Sequence, residues 1–176
     1  MIKNKKEEMI RVNHAGEYGA KRIYSGQIAG FSNSNNKKLL SILEHMKKQE
    51  IEHFNYFDEK ITKDKIRPTL MQPIWNIAGF AMGYATAKMG EKAAMTCTVA
   101  VEEVIDQHYE EQLQELQKDQ KNNKELIDKI EQFQKEELEH RDIALDNNAA
   151  DSKIYQPLKF LISNASKLAI KISKKL

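Results

Sequence analysis

The chain has 176 residues, 31% of them charged, with seven glycines, three prolines, a single cysteine and a net charge of +2. That length suits one domain. Cys97 alone excludes an internal disulfide and any cysteine-built zinc or iron–sulfur site within one chain, and the near-neutral balance calls for no nucleic-acid partner. Few turn formers beside abundant Glu, Lys, Leu, Ile and Ala favour helix. Hydrophobic periodicity predicts six helices: 5–31, 36–63, 73–88, 90–119, 123–147 and 151–174. The breaks carry turn chemistry at Ser32–Asn36, Arg67-Pro68, Gly90, Gln120–Asn123 and Asn147-Asn148. Met1–Glu8 is charged and lacks an apolar stretch, so no secretory signal is expected.

The first and second helices should form one antiparallel hairpin, and the fourth and fifth another. Each second helix carries Glu-x-x-His: Glu50 with His53, and Glu137 with His140. Residues three apart share a helix face, so a carboxylate oxygen and an imidazole nitrogen can bind one metal together. Each first helix carries a further Glu, with Glu17 lying 33 positions before Glu50 and Glu102 lying 35 before Glu137. Both hairpins turn about midway between their acids. At a rise of about 1.5 Å per residue, the paired acids then lie level. All six side chains can meet at one height in the core, the ligand set of carboxylate-bridged di-iron and di-manganese bundles. Glu17 and Glu102 are expected as terminal ligands, Glu50 and Glu137 as bridges, and His53 and His140 as one imidazole per metal.

Neighbouring acids compete for these roles. Glu52, Glu103, Glu136 and Glu139 read as solvated surface residues. Glu103 is the main rival of Glu102, which the apolar run Thr98–Val101 turns inward. His14 and His45 read as structural. His108 suits either a structural or a substrate-channel role. Tyr109, seven residues past Glu102, is either a core tyrosine or part of the same channel.

The remaining helices differ in kind. The stretch 69–87 has no charge but contains Pro73, Asn76, Gly79 and Gly83, too broken and polar for a membrane span. The last helix sets Leu158, Leu161, Ile162, Ala165, Leu168, Ala169, Ile172 and Leu176 at helical spacing among lysines, with no acid after Asp151. It fits either an interfacial helix on anionic lipid or a cap packed on the bundle.

Four segments resemble the demethoxyubiquinone monooxygenase family of ubiquinone biosynthesis: Arg11–Ala20, Arg67–Phe80, Cys97–Tyr109 and Glu136–Asp142. The likeness runs from about Ile10 to the C-terminus. It implies an all-α, ferritin-like four-helix bundle over 1–176 with two additional amphipathic or apolar helices, 68–89 and 151–176 contacting the membrane. It places the family's ligands on the same six residues, with two iron ions as cofactor and an external reductant. The implied reaction is O2-dependent hydroxylation of a demethoxyubiquinol ring. The implied partners are a polyprenyl quinol, an anionic membrane surface, and a second copy or a lipid-presenting protein. The expected location is peripheral, on the cytoplasmic face of a bacterial inner membrane or the mitochondrial inner membrane. Position 141, often His in the family, is Arg141 here, and Lys167 and Lys171 stand where animal members carry Arg and Tyr. The rival readings are iron oxidation and storage or peroxide detoxification on the same bundle, and a metal-free helical membrane adaptor.

Overall fold

The computed structural model describes residues 2–176, with side chains from Lys5 onward; Met1, the first residue of the expected domain, lies outside it. Six α-helices run in order: α1 (Ile2–Gly30), α2 (Lys37–Asp64), α3 (Gln72–Lys88), α4 (Glu91–Leu116), α5 (Gln120–Asp146) and α6 (Tyr155–Lys175). The described residues contain no strand, as the all-α reading expected. Helix α1 begins three residues before the expected start, and two later boundaries also shift. The second hairpin turns earlier than expected, through a 3-10 turn at Gln117–Asp119, so α5 begins at Gln120. A second 3-10 turn at Ala149–Asp151 delays α6 to Tyr155.

Helices α1, α2, α4 and α5 form the bundle. Asn36 caps α2, accepting from the Leu39 amide at 3.1 Å and satisfying one of the donors a helix start leaves open. The buried stripe of α2 is Leu39, Leu43, Met46, Glu50, His53, Phe57 and Ile61. That of α5 includes Leu126, Ile130, Phe133, Glu137, His140 and Ala144. Each stripe advances by three or four residues, so the Glu and His occupy the inward positions a leucine would otherwise fill. Apolar clusters lie on both sides of them. One contains Ile10, Phe57, Leu113 and Ile130; the other contains Leu39, Leu43, Met46, Met95 and Val99. Each such fully buried side chain contributes about 1.5–3 kcal/mol, which offsets the cost of polar groups held between them.

Helix α3 packs along α1 through glycines. A Cβ added at Gly83 would fall onto the Ile23 carbonyl, one at Gly26 would fall onto the Phe80 carbonyl, and one at Gly79 would lie 2.9 Å from the Gly19 carbonyl. These glycines let two backbones touch, which explains why α3 carries residues that weaken an isolated helix. Helix α6 packs on α4 and α1. It is tied to α3 at one end, where the Trp75 indole donates to Ser173 Oγ at 3.0 Å and the Leu70 amide donates to the Leu176 carbonyl at 3.2 Å. The apolar stripe read on α6 straddles its packing boundary. Leu158 and Ile162 turn inward, while Leu161, Leu168 and Leu176 stay exposed.

Candidate metal centre

The bundle brings Glu17, Glu50, His53, Glu102, Glu137 and His140 together, all buried. Donor atoms of Glu17, Glu50, His53 and Glu137 lie within 4.8 Å of one another, and so do those of Glu50, Glu102, Glu137 and His140. Glu50 and Glu137 belong to both groups. Both imidazoles present Nδ1 to the centre. His53 Nδ1 lies 3.1 Å from Glu137 and 3.5 Å from Glu17. His140 Nδ1 lies 3.2 Å from Glu50 and 3.3 Å from Glu137.

Burial and the nearby Glu137 carboxylate push the Glu50 and Glu102 carboxyls well above their usual range. Burial alone would raise Glu137 as well, but the facing imidazoles of His140 and His53 outweigh it and hold this carboxyl low. Burial likewise disfavours charge on both imidazoles, yet facing carboxylates raise them: Glu136 and Glu137 for His53, Glu137 for His140. Four carboxylates cannot all be ionised here with only two imidazoles to balance them. Five of its carboxylate oxygens, one each on Glu17, Glu102 and Glu137 and both on Glu50, have no hydrogen-bond partner. Buried unpaired oxygens are costly unless a cation coordinates them. Two divalent ions would match four carboxylates in charge and in hard-donor chemistry. The residues fit a pair of metal ions.

A cavity of about 200 Å³ reaches this centre from between α1, α3, α4 and α6. Its wall is mostly apolar, including Ile23, Trp75, Met82 and Ile105, and it reaches Glu17, Tyr109 and His108. Tyr109 is thus both buried and on the cavity wall, where its hydroxyl donates to Glu17. His108 Nε2 accepts from Gln112 at 2.8 Å, and burial, aided by Lys174, pushes its pKa down to about 4. His14 sits against Phe54 and pairs with Asp58 at 3.1 Å, away from the centre, and His45 is exposed. Glu103 pairs with Lys159 at 2.7 Å and takes no part in either donor group.

A family model described as ubiquinone biosynthesis protein COQ7 matches residues 4–173. The chain belongs to this family. It is 44% identical over 167 residues to the NADPH-dependent 3-demethoxyubiquinone 3-hydroxylase, mitochondrial, of Dictyostelium discoideum, covering 95% of this chain and 76% of the relative. The human protein of the same name is 42% identical, with 97% and 77% covered. The 3-demethoxyubiquinol 3-hydroxylase of Rhodospirillum rubrum is 44% identical, with 96% and 77% covered. The departures at Arg141, Lys167 and Lys171 lie off the centre: Arg141 pairs with Asp142 at 2.7 Å, and both lysines are exposed on α6.

Two features of this family member escaped the sequence reading. Tyr24 donates to Glu102 at 2.6 Å, mirroring Tyr109 and Glu17. The signal was present, since Tyr24 follows Glu17 by seven residues as Tyr109 follows Glu102. Glu136, read as a solvated surface acid, is a correction. Its side chain is only 24% exposed and bonds His53 Nε2 at 2.5 Å, because α5 turns the residue before Glu137 toward α2.

Proposed function

We propose that the protein hydroxylates the ring of a demethoxyubiquinol with O2, at two iron ions held by Glu17, Glu50, His53, Glu102, Glu137 and His140. The observation that carries this reading is the pair of overlapping buried donor groups with five unpartnered carboxylate oxygens. Sharing of Glu50 and Glu137 supports their assignment as bridges. Glu17 with His53, and Glu102 with His140, then complete the two half-sites. The donors suit iron and manganese alike, and iron follows from the family resemblance. Bound there, the iron pair would supply the electrons that split O2, one oxygen atom entering the ring and the other leaving as water. An external reductant must re-reduce the pair, and the names of the Dictyostelium and human relatives, which carry NADPH-dependent, support NADPH in that role.

The chain's own part is to bind, orient and keep water out. The cavity admits a flat apolar ring to the Glu17 side of the centre. Tyr109 fixes the Glu17 carboxylate there through its hydroxyl. With Nε2 accepting from Gln112, neutral His108 carries its proton on Nδ1, a donor for a ring oxygen at the cavity wall. The apolar lining strengthens each of these polar contacts by lowering the local dielectric.

A polyprenyl substrate requires contact with lipid, and the two helices flanking the cavity supply it. Ile74 and Ile77 on α3, with Phe160, Leu161 and Leu168 on α6, are more than half exposed. Exposed Lys167, Lys171 and Lys175 add attraction to anionic headgroups. Among the described residues no helix is long and apolar enough to cross a membrane; the exposed apolar and basic side chains of α3 and α6 would hold the protein at the surface. Vesicles containing anionic lipid should capture it at low salt, and a protein that ignores them rules this attachment out.

The test of the activity is to reduce iron-loaded protein anaerobically, then add demethoxyubiquinol and O2 and weigh the product. The expected product has gained one oxygen atom. Iron oxidation with unchanged quinol would support storage or detoxification instead.

A further inference from the structure

The two halves of the centre share one plan of ligands and tyrosines but differ at the pair of positions behind the histidines. The residue immediately before each proposed bridging carboxylate crosses to the opposite hairpin and takes the outer nitrogen of its histidine. Gln49, before Glu50, accepts from His140 Nε2 at 2.9 Å. Glu136, before Glu137, accepts from His53 Nε2 at 2.5 Å. The geometry matches and the chemistry does not: one histidine leans on a neutral amide, the other on a carboxylate. Glu136 is itself held by Gln132, whose amide donates to its other oxygen at 2.9 Å. In each case the outer bond leaves Nδ1 facing the carboxylates of the centre. A carboxylate behind a ligating imidazole makes it the stronger donor, and losing such a partner typically costs about 10–100-fold in metal affinity.

From this mismatch we propose that Glu136 and Gln49 are positioning residues that make the two metal sites unequal, so that the site containing His53 and Glu17 binds its ion first and more tightly than the site containing His140 and Glu102. The inference rests on the metal-centre reading above and goes beyond it by ranking the sites. It has a functional corollary. The tighter site is the one the cavity reaches, because Glu17 and Tyr109 line the cavity, whereas Tyr24, the counterpart at Glu102, is packed against Met46 in the sealed core. The charged partner thus stands behind the half that faces substrate.

Anaerobic titration of the metal-free full chain with Fe2+, followed by calorimetry and by Mössbauer spectra of isotope-labelled iron, tests the ranking without turnover. Wild-type protein should fill in two resolved steps with distinct spectra. Glu136→Gln should weaken the first step by about 10–100-fold and leave the second nearly unchanged, bringing the two together. Gln49→Glu should strengthen the second step, a gain that a loosened structure cannot produce. The double exchange, Gln49→Glu with Glu136→Gln, should restore two steps and reverse the order in which the two spectra appear. Equal sites in the wild type, or a Glu136→Gln variant that loses both sites equally, would overturn the ranking while leaving the metal centre standing. A wild-type chain that takes up no iron would overturn the centre itself, and the ranking with it.

Discussion

The six-residue centre and the α3/α6 cover over it obey opposite rules. At the centre, five carboxylate oxygens are buried without partners, a local cost that the proposed metal ions would offset. At the cover, apolar side chains such as Ile77 and Phe160 stay exposed, and stability comes from the inward contacts alone. A change at the centre should therefore affect metal and chemistry more than folding. A change beneath the cover should do the reverse, and a change on its outer face should affect neither.

The largest effect tests the first half of that contrast. Glu50→Gln removes a ligand shared by both donor groups and should reduce bound iron from two ions per chain to essentially none. The metal-free variant should unfold at no lower denaturant concentration than the wild type, because both Glu50 oxygens are buried without partners. Gly83→Ala probes the cover's inner face. Its Cβ would meet the Ile23 carbonyl, so α1 and α3 must separate, at a cost of about 3 kcal/mol or more in urea unfolding.

His108 couples the cavity to pH. Its folded pKa of about 4 lies below the usual 6.5. As pH falls through that interval, the unfolded chain binds a proton that the folded chain refuses. The His108 contribution to stability is therefore intact above 6.5 and declines toward 4, by about 3 kcal/mol over the window. The difference in unfolding stability between wild type and His108→Gln, measured across that range, should show this slope. Tyr109→Phe should slow turnover about tenfold with iron content unchanged, since the hydroxyl orients Glu17 and is not itself among the donors. The smallest effect belongs to the outer face. Ile77→Ser should alter stability by no more than about 0.5 kcal/mol, yet weaken capture by anionic vesicles.

What the sequence made legible divides along the same line. Helical rise and two midpoint turns suffice to bring Glu17 level with Glu50 and Glu102 level with Glu137, so the convergence of the six could be read from spacing. The partners of those side chains could not. Glu136 lies one residue from the proposed ligand Glu137 and about 100° around the helix, where periodicity marks a surface position; only the placement of α2 beside α5 turns it onto His53. Tyr24 was open to discovery from the repeated seven-residue interval, but its hydrogen bond crosses between hairpins. At the cover, Gly79 and Gly83 read as interruptions of an apolar helix. Their use depends on the partner backbone of α1, which no single-helix pattern reveals. For α6, the apolar stripe was visible, while the line dividing packed from exposed residues is set by α4 and α1.

The most direct measurement is a crystal structure of the iron-loaded protein with anomalous scattering recorded at the iron edge. The account predicts two peaks among Glu17, Glu50, His53, Glu102, Glu137 and His140, with Glu50 and Glu137 touching both. A single peak, or iron found elsewhere while these six side chains pair only with one another, would contradict it.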